Sequence, residues 1–297
     1  MRKRLLLIYN PVAGKGEASR KIAPMIESFS AAGYEVTVQP VLPGHSTSQI
    51  LKEAQGVYSR IVCCGGDGTL NHLVNGLMQM ETPPPYGYLP TGSTNDFARS
   101  MGLPRRTKES CAAMLTGKPF CYDVGKFNDR YFNYVAAFGA FTDVSYLTSQ
   151  DEKNSLGYLA YVIEGLKRLP IGRKFVAHVE CGGQSWDGEY FYGAVSNSNS
   201  VAGLQLGDAS TVQLDDGLFE VLLVKAPANM AEASTIGAKL LARDFDGELV
   251  RLEHTDHVKF TFEEETAWTL DGEFGGAQHE VEITVIPHAL SILRKAK

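Results

Sequence analysis

The feature that most restricts the fold is an apolar run that ends in a glycine-rich turn and continues as an amphipathic helix. Residues 61–64 are apolar, the turn is Gly65-Gly66-Asp67-Gly68-Thr69, and apolar residues recur at helical spacing from Leu70 to Met78. Glycines in a turn of this kind let a phosphate approach the backbone amides at the helix N-terminus. The stretch therefore predicts a strand, a phosphate-binding turn and a helix.

Two other turns lie in the same context. The apolar run from Arg4 to Tyr9 leads into a breaker-rich turn at residues 10–16, and the run from Tyr86 to Leu89 leads into another at residues 90–99. Strands that alternate with helices form a mostly parallel sheet, and ligands bind beyond the carboxyl ends of such strands. We therefore expect the three turns to converge on one crevice.

The second half of the chain has a different pattern. From about Phe120 strand-like segments dominate, and helical spacing is confined to residues 156–169 and 228–241. Runs of strands without regular helices between them favour an antiparallel, sandwich-like domain. We predict an α/β domain over residues 1–120, with residues 288–297 as a candidate addition to it, and a β-sandwich over residues 121–287.

Composition narrows the function. A formal net charge of -6 argues against general binding to nucleic acids, which requires Lys and Arg to neutralise phosphates. Five cysteines without C-x-x-C spacing indicate neither a zinc site nor a disulfide framework, which fits a reducing compartment. No run approaches eighteen apolar residues, and the apolar run near the N-terminus is too short for a signal peptide. We expect a cytoplasmic protein.

Five motifs occur in an order that resembles the diacylglycerol kinase-like lipid kinases. They are Asn10-Pro11 with Gly14, Gly65-Gly66-Asp67-Gly68-Thr69, Pro90-x-Gly92-Ser93-x-Asn95-Asp96-Phe97-Ala98-Arg99, Asp215-Asp216-Gly217 and Leu270-Asp271-Gly272-Glu273. This family includes soluble bacterial diacylglycerol kinases and the sphingosine and ceramide kinases. The resemblance covers nearly the whole chain and implies a three-layer α/β nucleotide-binding domain, a C-terminal antiparallel β-sandwich domain for the lipid acceptor, and ATP bound in the cleft between them.

The resemblance also implies roles for individual residues. An acid network of Asp67, Asp96 and Glu273 would surround a catalytic Mg²⁺, and Asp271 would be the general base. A second, structural Mg²⁺ would be held by Asp216 and by the backbone carbonyls of Gln213 and Leu218. The residues expected at the nucleotide are Asn10, Gly14, Gly65, Gly66, Asp67, Gly68, Thr69, Leu70, Asn71, His72, Ser93 and Asn95.

The chain departs from the family pattern at three positions. His72 stands where the family usually has glutamate, Ser93 where it has threonine, and Pro40 where a threonine often ends the second strand. Ser93 keeps the hydroxyl group. His72 lacks a carboxylate, so either the phosphate site is less anionic here or this position is peripheral. Pro40 lacks both a hydroxyl and an N–H group, so neither group is available for the ATP contact that the resemblance implies there.

The acids also have ordinary structural interpretations. Asp67 would bond to its own turn, and Asp96 would cap the helix that begins near it. Asp271 and Asp216 each precede a glycine, which is a common hairpin signal. Only the presence of all the motifs together favours the functional interpretation.

The predicted function is phosphoryl transfer from ATP, with Mg²⁺, to a lipid hydroxyl, that of diacylglycerol or a related lipid. Two alternatives remain open: an enzyme like the NAD kinases, which share Gly65-Gly66-Asp67-Gly68, and a catalytically weak lipid- or nucleotide-binding regulator, prompted by His72 and Pro40. The expected partner is a lipid at the membrane surface and not a nucleic acid. Peripheral contact with the inner face of the membrane and a homodimer are open options.

Overall fold

The computed structural model describes residues 3–42, 47–93, 95–139, 174–198, 200–201, 204–205 and 213–295. The chain divides into two compact units, which are Met1–Val124 with Pro287–Lys297 (unit 1) and Gly125–Ile286 (unit 2). The protein is of mixed α/β type and rich in strands. The helix predicted over residues 156–169 lies outside the described residues.

Unit 1 alternates strands with helices. Its strands pair in parallel in the order β2-β1-β3-β4. Ile292, in the long strand β15 (Glu273–Arg294), forms a further parallel pair with Tyr86. The elements are β1 (Lys3–Tyr9), α1 (Glu17–Ala31), β2 (Tyr34–Pro40), α2 (Thr47–Ala54), β3 (Arg60–Gly65), α3 (Asp67–Leu77), β4 (Tyr86–Pro90), α4 (Asp96–Ser100), α5 (Thr107–Thr116) and β5 (Lys118–Phe127).

The central strands of unit 1 are buried on both faces. Alternate strand residues join one core with residues from α1 and α5, among them Leu5, Leu7, Val62, Met25, Phe29 and Met114. The intervening residues Leu6, Ile8, Ile61 and Cys63 point to the opposite face and are equally buried. Burial of each such side chain contributes about 1.5–3 kcal/mol, which is why these strands read as continuous apolar runs.

Two helices of unit 1 differ from the sequence-based expectation. Pro24 predicts a kink or a late start of the first helix, but α1 begins at Glu17 and continues past Pro24, so the late start is wrong. Pro24 is exposed, so solvent can bond the backbone carbonyl that it leaves without a helical donor. Helix α5 was not predicted, because its apolar residues have only a weak helical periodicity. Ser46, with Gln49 three residues later, is the cap that the sequence predicts for α2, and it lies outside the described residues.

Unit 2 is built mainly from antiparallel strands. Those of its main sheet run in the order β13-β12-β9-β7-β14-β15, and β8 pairs with both β9 and β14. The elements are β6 (Arg130–Phe132), β7 (Val135–Gly139), β8 (Phe175–Cys181), β9 (Gln184–Ser196), β10 (Ser200–Val201), β11 (Leu204–Gln205), β12 (Phe219–Lys225), α6 (Met230–Ala242), β13 (Val250–Thr255) and β14 (His257–Leu270).

An aromatic cluster forms the main core of unit 2. The ring of Trp268 packs against those of Phe127, Phe138 and Phe260 at centroid distances of 5.2, 4.8 and 5.2 Å. Such tilted and edge-to-face pairs each contribute about 0.5–1.5 kcal/mol beyond burial alone. A second core includes Leu222, Val224, Ile236 and Leu240, where α6 packs on β12.

Several strands of unit 2 differ from their predicted limits. The apolar pattern of residues 131–138 predicts one strand, but Asn133 and Tyr134 separate β6 from β7. The sequence pattern predicts two strands at residues 257–262 and 267–270. They form the single strand β14, whose register shifts between Thr261 and Thr266. Strand β13 was not predicted. None of the helices in the described part of the chain has the length and apolar character needed to span a bilayer.

Candidate active site

Three glycine-containing turns of unit 1 touch one another through their backbones. The N–H of Thr91 donates to the carbonyl oxygen of Gly65 at 2.8 Å. A Cβ on Gly92 would lie 2.7 Å from the Cα of Gly66, and a Cβ on Gly14 would lie 2.0 Å from the carbonyl oxygen of Thr91. Gly14 also has a φ of +60°, which disfavours other residues. Glycine is therefore required where the turns meet, and the structure brings together the three turns expected to converge.

Asn10 ties the first turn to helix α3. Its backbone N–H donates to the carbonyl of Cys64 at 3.0 Å, and its Nδ2 donates to Oγ1 of Thr69 at 3.2 Å. Its Oδ1 accepts from the N–H of Val12 at 3.1 Å, which closes the turn itself. These bonds orient the side chain from both ends, so Asn10 fixes the position of the turn beside the start of α3.

The N-terminus of α3 has the form of an anion site. Strand β3 ends at Gly65, Gly66 is extended, and the helix begins at Asp67 without a hydrogen bond from a capping side chain. The first amides of an α-helix lack partners within the helix and carry the positive end of its dipole. A Cβ on Gly65 would lie 2.5 Å from the Cβ of Thr69, so the tight entry into the helix depends on this glycine.

Two carboxylates lie beside this helix start. Oδ2 of Asp67 accepts a hydrogen bond from the N–H of Asp96 at 3.3 Å. Asp67 is buried, whereas the Asp96 side chain is partly exposed and forms an ion pair with Arg99 at 3.2 Å. Burial raises the pKa of Asp96, and the charges of Arg99 and Arg105 partly offset this effect. Neighbouring carboxylates of this kind are ligands that Mg²⁺ prefers, so the pair fits a hard cation.

Asn95 shapes the turn that delivers Asp96. It adopts a left-handed conformation with φ 51°, which asparagine tolerates better than most residues. Its Oδ1 accepts from the N–H of Gly92 at 2.8 Å, and its Nδ2 donates to the carbonyl of Gly92 at 2.6 Å. Asn95 is buried and holds the turn through its side chain, so its place in the structure is that of a turn anchor.

The other residues expected at the nucleotide have different surroundings. Leu70 is buried, and its N–H donates to the carbonyl of Gly66 at 3.1 Å. Asn71 is also buried, and its carbonyl accepts from Nδ2 of Asn75 at 2.9 Å. His72 and Ser93 are exposed. Both residues thus lie in the first two turns of α3, and their assignment to the nucleotide stays a prediction.

In unit 2, Asp271 occupies a buried cage of N–H groups. Its Oδ2 accepts from the backbone and side-chain nitrogens of Asn133 at 2.8 and 3.2 Å. Its Oδ1 accepts from the backbone N–H groups of Tyr134 and Val135 at 2.9 and 3.2 Å. The residue is 2% exposed, and its own N–H donates to the carbonyl of Val135 at 2.8 Å. A carboxylate has about four acceptor sites, so these bonds use all of them.

Sequence reasoning missed the partners of Asp271. The pattern of residues 131–138 predicts a continuous strand through Asn133 and Tyr134. The signal against it is Asn133, because asparagine is common in turns. Asp271 has a φ of 52° and Gly272 a φ of 85°, which places both in the hairpin turn between β14 and β15. Glu273, the first residue of β15, is exposed.

The turn predicted to hold a structural cation lies at residues 213–218 of unit 2. Oδ1 of Asp216 accepts from the N–H of Leu218 at 3.0 Å, and both Asp216 and Gln213 are exposed. Burial and, to a smaller extent, the negative charge of Asp216 raise the pKa of nearby Glu220 to about 7, although hydrogen bonds from backbone N–H groups lower it in part. In the described ranges, no group of three or more His, Cys, Asp or Glu side chains is arranged to hold a metal ion.

Comparisons with known proteins decide the family. Residues 4–127 match the model of the diacylglycerol kinase catalytic domain. The chain is 32% identical to a diacylglycerol kinase of Bacillus subtilis (strain 168), over 99% of this chain and 98% of that protein. It belongs to the diacylglycerol kinase family. A diacylglycerol kinase of Staphylococcus carnosus (strain TM300) is 34% identical, over 93% of this chain and 90% of the relative.

Solved structures show the same fold. The crystal structure of a diacylglycerol kinase from Bacillus anthracis str. Sterne aligns with a TM-score of 0.78 and 22% identity, over 99% of this chain and 98% of that one. The resemblance stated from the motifs is therefore confirmed, and the protein is a lipid kinase. A kinase catalytic domain implies ATP as the phosphoryl donor.

Proposed function

We propose that this lipid kinase transfers the γ-phosphoryl group of ATP to a hydroxyl of diacylglycerol or a related lipid, with Mg²⁺. The observation that carries the proposal is the meeting of three turns around the start of α3, where Gly92 approaches the backbone of Gly66 too closely to carry a side chain. A backbone without side chains at the start of a helix is suited to binding phosphates. We call the three turns at residues 10–16, 65–69 and 90–96 the cradle, and we assign the nucleotide to it, with Asn10 and Thr69 at its edge.

The carboxylates of Asp67 and Asp96 are assigned to the catalytic Mg²⁺, together with Glu273. Their fit rests on the hydrogen bond between Oδ2 of Asp67 and the backbone N–H of Asp96, which holds the Asp67 side chain at the start of α4. When bound, Mg²⁺ neutralises charge on the transferring phosphoryl group. In this proposal the backbone of the glycine turn at residues 65–69 positions the nucleotide.

Asp271 is assigned as the general base for the acceptor hydroxyl. All four of its acceptor sites are used by Asn133, Tyr134 and Val135, so proton uptake requires the release of one of these bonds. A general base must lie within hydrogen-bond reach of the proton that it removes. We therefore propose two roles for Asp271: it anchors residues 133–135, and it is the general base. The Tm of Asp271→Asn tests the first role, and its lipid phosphorylation below that Tm tests the second.

The proposal extends to domains and location. We assign unit 1 as a three-layer α/β nucleotide-binding domain and unit 2 as an antiparallel β-sandwich domain for the lipid acceptor. A lipid with two acyl chains stays in the bilayer, because each exposed methylene costs about 0.8 kcal/mol in water. We propose a cytoplasmic enzyme that contacts the inner face of the membrane peripherally, with a homodimer as its assembly. Vesicle co-sedimentation and analytical ultracentrifugation test these two points.

The direct test is a lipid phosphorylation assay with labelled ATP and mixed micelles. Diacylglycerol, ceramide, sphingosine and monoacylglycerol are compared as acceptors, and NAD is included as a non-lipid acceptor. Asp67→Asn keeps an oxygen that can accept from the N–H of Asp96 but removes the charge, so we expect activity to fall at least a hundredfold with little change in stability. Glu53→Gln, on the exposed face of α2, is the matched control.

Three outcomes would overturn the proposal. Phosphorylation of NAD in preference to every lipid would favour an NAD kinase-like enzyme. ATP binding by calorimetry without turnover on any acceptor would favour a regulator. Full activity of Asp67→Asn would remove this residue from the catalytic machinery.

A further inference from the structure

Glu220 of unit 2 is a buried carboxylate without a balancing positive charge among the described residues. It is the second residue of β12 and is only 5% exposed. No ion pair in the described part of the chain includes it, and its Oε2 has no hydrogen-bond partner. An ionised group in this position is unfavourable unless a proton or a cation compensates its charge.

The strand register shows what surrounds Glu220. In the sheet its neighbours are Ser196 on β9 and His254 on β13. Ser196 is fully buried, and its Oγ also has no partner among the described residues, whereas His254 is exposed. Buried polar groups in native proteins are nearly always paired with protein, ordered water or an ion, so these two adjacent groups without partners among the described residues need an explanation.

A short backbone segment places the Glu220 carboxylate beside the turn at residues 213–218. The N–H of Ser198 donates to the Glu220 carboxylate. Nδ2 of the preceding residue, Asn197, donates to the carbonyl of Leu214 at 3.3 Å. The same dipeptide thus contacts both the carboxylate and the turn. Asp216 closes this turn by accepting from the N–H of Leu218 at 3.0 Å, two residues before Glu220.

We propose that Glu220 provides a second carboxylate for a divalent cation at the 213–218 turn, where the family resemblance assigns only Asp216 and two backbone carbonyls. The cation class is hard, Mg²⁺ or Ca²⁺, because every candidate ligand is an oxygen atom. Glu220 acts on this cation directly or through a bound water. This inference rests on the structural cation assigned to this turn, and it adds a buried residue to an otherwise exposed set.

The site is also connected to Asp271 through hydrogen bonds within unit 2. The N–H of Asn197 donates to the carbonyl of Tyr134 at 3.0 Å, and the N–H of Tyr134 donates to Oδ1 of Asp271 at 2.9 Å. Cation binding at the turn therefore orders the segment that carries the partners of Asp271. Asn197 acts as a positioning residue in this chain of bonds.

The test is thermal unfolding without nucleotide or lipid, in about 10 mM Mg²⁺ or Ca²⁺ and in chelator. A cation at about ten times its dissociation constant is expected to raise the Tm of the wild type by roughly 3–6 °C. Glu220→Gln removes the charge, so its Tm in chelator should be equal to or above that of the wild type. The rise in the Tm of Glu220→Gln on addition of the cation should be less than half of the wild-type rise.

Two control variants separate this site from others. Glu180→Gln, an exposed acid of β8, should keep the full rise. Asp67→Asn should also keep it, which shows that the cation responsible is not the one assigned to the kinase reaction. The Tm measurement does not depend on lipid phosphorylation, and the phosphorylation assay does not depend on the cation-induced rise in Tm. The proposed cation site and the proposed lipid kinase activity can therefore fail independently.

The proposal is overturned if the wild type shows no cation-dependent rise, or if Glu220→Gln keeps the full rise. The second result would mean that Glu220 is simply a protonated core residue. If Glu220→Gln does not fold, hydrogen exchange of the wild type decides instead. Divalent cation should slow exchange of the amides of residues 219–221 at least threefold, and unchanged exchange there overturns the proposal.

Discussion

Replacement of Asp271 by Asn should destabilise unit 2 as well as impair catalysis. The two carboxylate oxygens accept four N–H groups, two on each oxygen. In either orientation the amide NH₂ of Asn would face two of these donors, which then lose their acceptor. A buried donor left unsatisfied costs about 1–3 kcal/mol, so the expected loss is about 2–6 kcal/mol.

The measurement is the Tm by circular dichroism, with Asp129→Asn as the control. Asp129 is exposed and belongs to the same unit, so its substitution should change the Tm by less than about 1 °C. Asp271→Asn should lower the Tm by roughly 5–20 °C. A Tm within about 1 °C of the wild type would refute the hydrogen-bond argument.

This prediction affects how the activity of the variant is interpreted. Lipid phosphorylation by Asp271→Asn has to be measured well below its own Tm. Loss of activity in the fully folded variant would then support the role as base. Activity that returns on cooling would show that Asp271 acts only as the anchor of residues 133–135.

Three further predictions test two contacts of unit 1 and the burial of the cysteines. Gly92→Ala should cost about 1–3 kcal/mol in urea unfolding, because its Cβ would meet the Cα of Gly66 at 2.7 Å; unchanged stability would contradict the contact. Asn10→Ala removes the bond to Oγ1 of Thr69 and should raise the KM for ATP several-fold with little change in kcat, whereas an unchanged KM would place the nucleotide elsewhere. Ellman's reagent at pH 8 should titrate one thiol of the native protein, that of Cys121, and five after denaturation.

The thiol prediction follows from burial. Cys121 is exposed, and the other four cysteines are buried. Burial raises the pKa of Cys64 to about 12 and that of Cys181 to about 11, so the reactive thiolate is scarce at pH 8. Reaction of more than one native thiol would show that these cores open readily.

Local patterns in the sequence were sufficient for the elements of unit 1 that surround the candidate site. The β3–α3 unit was predicted from its apolar run, its glycines and the helical spacing after Leu70, because each of these signals depends on neighbouring residues. Helix α5 and strand β13 were missed, since their periodicity is weak and packing decides them. Pro24 was overestimated, because only the tertiary structure shows that it faces solvent.

The sequence by itself determined the family, the alternation of strands and helices in unit 1, and the identity of the acids. Only the tertiary structure decided their surroundings. Asp271 bonds to residues that are 136 to 138 positions away, and Gly66 meets Gly92 because β3 and β4 are neighbours in the sheet. These contacts arise when strands pair over long distances in the chain. No local pattern encodes them, and the unpartnered Oε2 of Glu220 is likewise visible only in the folded chain.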